Sequence, residues 1–264
     1  MLMLGLRLGN NPRVVVTTTP RPIALVRTLL KDPTTATTRG STFDNAAHLA
    51  PQFLSQIVKR YQGTRLGRQE LDGEVLEDIE GAYWSLATLD KYRVTEAPEL
   101  QRIVVAVDPA VSTKDSSDET AIAVAGMGVD RQHYVLSAEG YRLPPAAWAK
   151  RVIDTYHRWN ADLIVVEKNN GGDMVEATIR QEWENAPIQT IVASRGKTVR
   201  AEPVALMYEQ GRVHHVGTFA AAEDQMCSFP VAAEHDDRVD AIVYAISELM
   251  ENSGPLLLWG NDAE

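Results

Sequence analysis

Arg102-Ile-Val-Val-Ala-Val-Asp108 is an almost continuous apolar run that ends in a carboxylate. A strand with one wet face alternates apolar and polar residues, whereas a central strand covered on both faces does not. The run therefore reads as the middle of a sheet with helices on either side. Working outward, the polar turn from Ser112 to Glu119 leads into Thr120-Ala-Ile-Ala-Val-Ala125, and Gln132 to Ala138 makes a third strand. Three consecutive strands with tight turns form a meander. Beyond them Pro144 to Trp159 reads as a helix, Ala161-Asp-Leu-Ile-Val-Val-Glu167 as a strand, Gly172 to Glu184 as a helix and Ile188 to Ala193 as a short strand. The last strong element runs from about Asp236 to Glu251. Its Val239, Ile242, Val243, Ile246, Leu249 and Met250 form one apolar helix face, and its aspartates lie at the start, where the helix dipole favours them.

Three antiparallel strands followed by alternating helices and strands predict a mixed α/β sheet flanked by helices, of the ribonuclease H-like type. The chain has 264 residues, room for one large domain or two modest ones. With 44% hydrophobic and 23% charged residues it is not an intrinsically disordered chain. The net charge of −10 argues against binding nucleic acid through overall basicity. That charge is unevenly spread. Residues 1–98 carry 12 Lys and Arg against 10 Asp and Glu, whereas residues 99–264 carry 14 against 26. The Pro-containing stretch Thr95-Glu-Ala-Pro-Glu-Leu100 sits at the changeover and is the expected domain boundary. Cys227 is the single cysteine, so there is no internal disulfide and no cysteine-based zinc site. Apolar runs such as Leu163 to Val166 and Pro255 to Trp259 are far too short to span a bilayer, and no signal-peptide cleavage pattern is present. The expectation is a soluble cytoplasmic protein without membrane partners.

The first half is sparser. Arg13-Val-Val-Val-Thr-Thr-Thr-Pro20 has strand character and is stopped by Pro20 and Pro22. Ile23 to Leu30 is helix-like, Thr34 to Thr42 reads as loop, and Ala50 to Tyr61 has helical spacing at Phe53, Leu54, Ile57 and Val58. A strand with its helix makes no sheet alone, so this segment reads as the end of an α/β domain.

Two strands end in acids, Asp108 and Glu167, and the final helix begins with Asp236, Asp237 and Asp240. Strand ends at one edge of an open α/β sheet place side chains in one crevice, where ligands commonly bind. If the two strands are parallel neighbours their acids converge, and the final helix can bring Asp240 against them. A strand-terminal acid by itself is most simply a solvated turn residue; it is the joint placement that points to a site. Carboxylates so close repel unless divalent cations neutralise them, and the chemistry that uses such a cluster is two-metal phosphodiester hydrolysis. Asp237 and Asp240 are three residues apart, so one can cap the helix or support the metal while the other ligates it. Asp240 is the first choice because it lies on the helix proper, beside Val239 and Val243.

Val105-Ala-Val-Asp-Pro109, Ile164-Val-Val-Glu-Lys-Asn-Asn-Gly-Gly-Asp173 and Asp236-Asp-Arg-Val-Asp-Ala241 together resemble the nuclease domain of the phage terminase large subunit, the DNA-packaging motor protein. The resemblance covers roughly residues 100–250. It implies that Asp108, Glu167 and Asp240 hold two Mg²⁺ or Mn²⁺ ions, with Asp108 bridging them and Asp237 a further metal-binding candidate. It also implies an endonuclease that cuts concematerised double-stranded DNA, with the small terminase subunit and the portal protein as partners. Val14-Val-Val-Thr-Thr-Thr-Pro20 resembles the coupling motif of the terminase ATPase domain. Gly63-Thr-Arg-Leu-Gly-Arg-Gln-Glu-Leu-Asp-Gly-Glu74 and Glu80-Gly-Ala-Tyr-Trp84 look like the segment joining motor and nuclease in the gene-transfer-agent and prophage branch. The implied division is 1–95 as a C-terminal remnant of a P-loop ATPase domain with linker, 96–252 as the ribonuclease H-like nuclease, and 253–264 as a tail.

A packaging motor needs a Gly-rich phosphate loop with a lysine. The nearest imitation, Arg195-Gly-Lys-Thr198, lacks the required glycine, because Ile191 stands five residues before Gly196. ATP hydrolysis by this chain alone is therefore not expected. Arg195, Lys197 and Arg200 are the densest basic patch in the acidic half, either a solvated loop or a phosphate-binding edge. Lys197 is the leading DNA-contact candidate, since in sequences of the resembling family a lysine here lies near the metal site. The histidines His133, His157, His214, His215 and His235 show no zinc-protease spacing and read as surface or core residues, with His235 close enough to the aspartates to reach the crevice. Asp118 and Asp173 are supporting candidates near strand ends, and Trp148, Tyr156 and Trp159 read as core. Two other readings compete. An actin-like ATPase needs Gly-rich loops where Asp108 is followed by Pro-Ala-Val-Ser, and a catalytically inactive prophage remnant would serve only to dock packaging partners.

Overall fold

The structure, a computed structural model, describes residues 12–18, 24–61, 65–75, 78–109, 119–167, 172–191, 196–232 and 236–251. Its contacts divide the chain into two compact units, 1–77 and 78–264. The first contains α1 (Ala24–Lys31), a 3₁₀ helix (Phe43–His48), α2 (Pro51–Tyr61) and α3 (Arg65–Glu70). The helices read at Ile23 to Leu30 and at Ala50 to Tyr61 appear, the first displaced by one residue and the second starting one residue later. The strand read from Arg13 does not: residues 12–18 have no regular structure, and Val14, Val15 and Val16 are exposed. β-branched residues favour strands only by packing on neighbouring strands, and among the described residues of this unit there is none. Pro20 and Pro22 lie outside the described residues.

The second unit opens with α4 (Leu86–Lys91) and continues through β1 (Leu100–Asp108), β2 (Thr120–Gly128), β3 (His133–Tyr141), α5 (Pro145–Trp159), β4 (Leu163–Glu167), α6 (Gly172–Glu182), β5 (Ile188–Ile191), α7 (Lys197–Glu209), β6 (Val213–His215), α8 (Ala220–Met226) and α9 (Asp237–Glu251). The six strands form one mixed sheet in the order β5-β4-β1-β2-β3-β6. β1, β2 and β3 are the antiparallel meander, while β4 lies parallel to β1, β5 to β4 and β6 to β3. β1 is central, and Val104 to Val107 are fully buried because both sheet faces are covered.

Strand alternation assigns each face its helices. Val105, Val107, Ile122, Val124, Ile164 and Val166 pack with Trp148 and Val152 of α5 and Val175 and Ile179 of α6. On the other face Val104, Ala106, Ala121, Ala123 and Val165 pack with Val204 of α7, Met226 of α8 and Ile242 and Ile246 of α9. Trp148, Tyr156 and Trp159 are core or packed against it. The single apolar stripe expected on α9 is too modest a description. Ten of its residues are buried, from Val239 through Ile246 together with Glu248 and Leu249, because the sheet lies beneath the helix and α7 and α8 flank it.

The packing unit begins at Asp78, upstream of the boundary expected at 95/96. Trp84 and Leu89 join the core cluster with Tyr208 and Phe229, Ser85 caps α4 by accepting the Thr88 N–H, and Val94 bridges to Val216. The polar stretch Thr95 to Pro98 marks a change of composition and charge, whereas packing depends on the apolar side chains before it. The tail 253–264 lies outside the described residues. Among the described residues no helix is long and apolar enough to cross a membrane.

Candidate active site

The pairing of β1 with β4 runs to Val107 opposite Val166, so Asp108 and Glu167 are the next residue on each of two adjacent parallel strands. Alternation puts Asp108 on the side of Val104 and Ala106, and Glu167 on the side of Val165. Both acids therefore project toward the face covered by α9. That helix enters at the same edge. Asp240, 3% exposed, sits in its first turn, and its N–H donates to the Asp236 carbonyl (2.9 Å). Asp237 Oδ2 accepts the Glu119 N–H at 3.2 Å, which ties the start of β2 to the helix.

Electrostatics report the convergence. The Asp108 carboxyl is pushed up to about 8, first by burial and then by the charges of Asp240, Asp237 and Glu167, against the pull of Lys197. The Asp240 carboxyl is pushed up to about 6 by burial and the neighbouring Asp236, with Lys197 and Arg200 opposing. Two cations from the first turn of α7 reach into the cluster. Lys197 Nζ lies 2.7 Å from Asp236 Oδ1 and 2.6 Å from Asp240 Oδ2. Arg200 Nη1 lies 3.6 Å from Glu167 Oε1 and donates to the Tyr244 hydroxyl at 3.0 Å. Tyr244 donates in turn to Glu167 Oε2. Burial and the surrounding acids push the Tyr244 hydroxyl well up, so it stays a donor.

The three acids read from the sequence are thus brought to one sheet edge, with Asp237 beside them. Lys197 and Arg200 stand on a helix and not on the expected loop, because α7 starts at Lys197. Arg195, Asp118 and His235 lie outside the described residues, as does the Asp173 side chain. His214 and His215 sit on β6, at the sheet edge away from β4. His215 bonds to Tyr208 and Glu223, and His214 stacks on Tyr134. His133 is a buried core residue. Two members escaped the sequence reading. Asp236 reads from the sequence only as a helix-start acid, and Tyr244 is not singled out at all, although its place one turn after Asp240 is a usable signal.

Among the described residues no group of three carboxylates or imidazoles is arranged to hold a metal ion as it stands. Lys197 and Arg200 already neutralise part of the cluster. The donor chemistry nonetheless suits a hard divalent cation: every donor is a carboxylate oxygen. Among the described residues Lys197 and Arg200 are the cations drawn against Asp236, Asp240 and Glu167, and acids outnumber cations in the cluster, an imbalance that divalent cations would relieve.

Residues 105–249 match the terminase RNaseH-like domain family, and residues 1–91 match the N-terminal region of terminase large subunits of the T4likevirus type. The chain belongs to the terminase large subunit family. No curated protein matches it significantly. Among solved structures, the large terminase of bacteriophage HK97 shares 10% identity with this terminase at a TM-score of 0.50, covering 76% of this chain and 51% of that one. The large terminase nuclease of thermophilic phage G20c, determined with bound magnesium, shares 13% identity at a TM-score of 0.47, covering 64% of this chain and 98% of that one. The nuclease domain of the large terminase of bacterial virus Sf6 shares 11% at 0.45, covering 62% and 98%. The terminase chain therefore spans about half the length of the HK97 protein, and at such identity the likeness concerns the fold.

Proposed function

We propose that this terminase chain is a divalent-cation-dependent endonuclease that cuts concatemeric double-stranded DNA during genome packaging, using Mg²⁺ or Mn²⁺. The observation that carries the reading is the meeting of Asp108, Glu167 and Asp240 at one sheet edge, where burial first and the neighbouring acids second push the Asp108 carboxyl up to about 8. Two ions bound there would supply an activated water and neutralise the leaving 3′-oxygen. Asp108, Glu167 and Asp240 would hold them, with Asp237 securing α9 to the start of β2. Lys197 is the proposed phosphate contact. Its half-exposed ammonium is now shared between Asp236 and Asp240; once Asp240 is neutralised, that ammonium is released toward the solvent side, where DNA arrives. Arg200, and Arg195 by its position in the sequence, would extend the same basic edge. The small terminase subunit and the portal are the proposed packaging partners, and the bacterial cytoplasm is the proposed site of action.

Nicking of supercoiled plasmid in Mn²⁺ tests the reading. Wild type should nick, and Asp108→Ala should lose activity by roughly 100-fold or more. Undiminished nicking by Asp108→Ala would overturn the assignment. Calorimetric Mn²⁺ titration separates the docking-module alternative, in which no carboxylate-dependent binding would occur.

A further inference from the structure

Tyr244 belongs to none of the sequence motifs, yet its hydroxyl donates to Glu167 Oε2. It follows Asp240 by four residues on α9, so the helix that carries one acid of the cluster also carries the group that holds another. Arg200 Nη1 donates to the same hydroxyl at 3.0 Å, and its guanidinium lies over the Tyr244 ring, 5.1 Å from the centroid. A guanidinium has donors only. The phenol oxygen must therefore accept from Arg200, which leaves its single hydrogen for Glu167. The order Arg200 to Tyr244 to Glu167 is forced by donor count. Arg200 Nη1 also stands 3.6 Å from Glu167 Oε1, so both carboxylate oxygens face groups tied to this tyrosine.

The ring is 1% exposed and belongs to the core cluster beneath α9, which prevents the hydroxyl from swinging away. Glu167 is the last residue of β4, and a glutamate there has three side-chain torsions to settle. The geometry points to Tyr244 as a positioning residue that fixes the Glu167 carboxylate for divalent cations, with Arg200 fixing Tyr244. This rests on the reading of the acid cluster as a cation site. Partners that orient a ligating side chain typically change metal affinity by roughly 10–100-fold when removed.

The test is calorimetric titration of Mn²⁺ into the full chain carrying Tyr244→Phe, Arg200→Lys or Asp240→Asn. Tyr244→Phe should weaken Mn²⁺ binding by about 10-fold or more while far-UV circular dichroism stays that of wild type. The Mn²⁺ concentration for half-maximal plasmid nicking should rise in proportion, with the rate at saturating Mn²⁺ little changed. Arg200→Lys, which keeps the positive charge but loses the planar guanidinium stacked on Tyr244, should move the affinity in the same direction, and it decides the matter alone if Tyr244→Phe does not fold. Mn²⁺ affinity within twofold of wild type in a folded Tyr244→Phe, with Asp240→Asn binding lost, would overturn the positioning role and leave the nuclease reading intact. Wild-type Mn²⁺ affinity in Asp240→Asn would instead overturn the reading beneath it.

Discussion

Replacing Glu223 by glutamine should cost this protein about 3 kcal/mol at neutral pH, a value reached by two routes. Glu223, on α8, is 2% exposed. Its Oε1 accepts from Arg93 Nη1 (2.6 Å), His215 Nδ1 (2.9 Å) and the Phe219 N–H (3.1 Å), and its Oε2 accepts from Arg93 Nη2 (3.1 Å). Since the carboxylate only accepts, the His215 proton sits on Nδ1, and Nε2 takes the Tyr208 hydroxyl at 2.8 Å. A glutamine amide would turn an N–H toward one of these donors and leave Arg93 with Asp90 as its remaining acidic partner. Breaking a buried pair in this way costs roughly 3–5 kcal/mol, and the Asp90 contact sets the low end. Independently, burial raises the carboxyl but the bonds from His215 and Arg93 outweigh it, holding Glu223 at about 2 against an ordinary 4.5. That difference is worth roughly 3 kcal/mol.

The sign of the pH dependence follows from the depressed folded value. Above pH 4.5 the carboxyl is ionised in folded and unfolded chains alike, and its contribution is complete. Between 4.5 and about 2 the unfolded chain takes up the proton first, so the contribution drains away at roughly 1.4 kcal/mol per pH unit. Urea unfolding of wild type and Glu223→Gln, followed by tryptophan fluorescence at pH 7, 5, 4 and 3, reads this directly. The midpoint gap should be widest at pH 7 and 5, and narrow at 4 and 3. A gap under about 0.5 kcal/mol at pH 7, or one of equal size at pH 7 and 3, would refute the reasoning.

Lys197→Ala removes a cation from Asp236 and Asp240; it should weaken double-stranded DNA binding and lower the slope of log affinity against log salt by about 0.9, as fluorescence anisotropy across a salt series would show. His133 is 1% exposed, and no well-aligned hydrogen bond reaches either ring nitrogen among the described residues, although the Arg212 backbone lies near enough to offset part of the burial. His133→Leu should therefore stabilise the fold by roughly 1–2 kcal/mol, seen as a higher urea midpoint. Burial, with Arg212 nearby, pushes the His133 imidazole down, so the wild type loses stability as pH falls below 6.5 and the leucine variant should lose less.

The placement of Asp108, Glu167 and Asp240 was legible because each stands at one end of a strongly patterned element. Asp108 and Glu167 close apolar runs, and Asp240 opens a helix with unbroken apolar periodicity. Less was visible where an element draws its stability from elsewhere. β6 is three residues long and exists by pairing with β3, and the run at Val14 has strand-forming residues but, among the described residues of its unit, no neighbouring strand to join. The stretch before Val94 carries no compositional mark of the nuclease half, yet Trp84 and Leu89 are part of its core.

By itself the sequence determined the central strands, the helices over them and the carboxylates at their ends, because hydrophobic period and strand termination are local properties of a chain. Only the tertiary structure decided what those carboxylates face. Lys197 meets Asp240 across 43 positions, Arg200 meets Tyr244 across 44 and Tyr244 meets Glu167 across 77. Such pairings depend on how α7 and α9 lie over the sheet edge, and no periodicity along the chain encodes the approach of two helices in space.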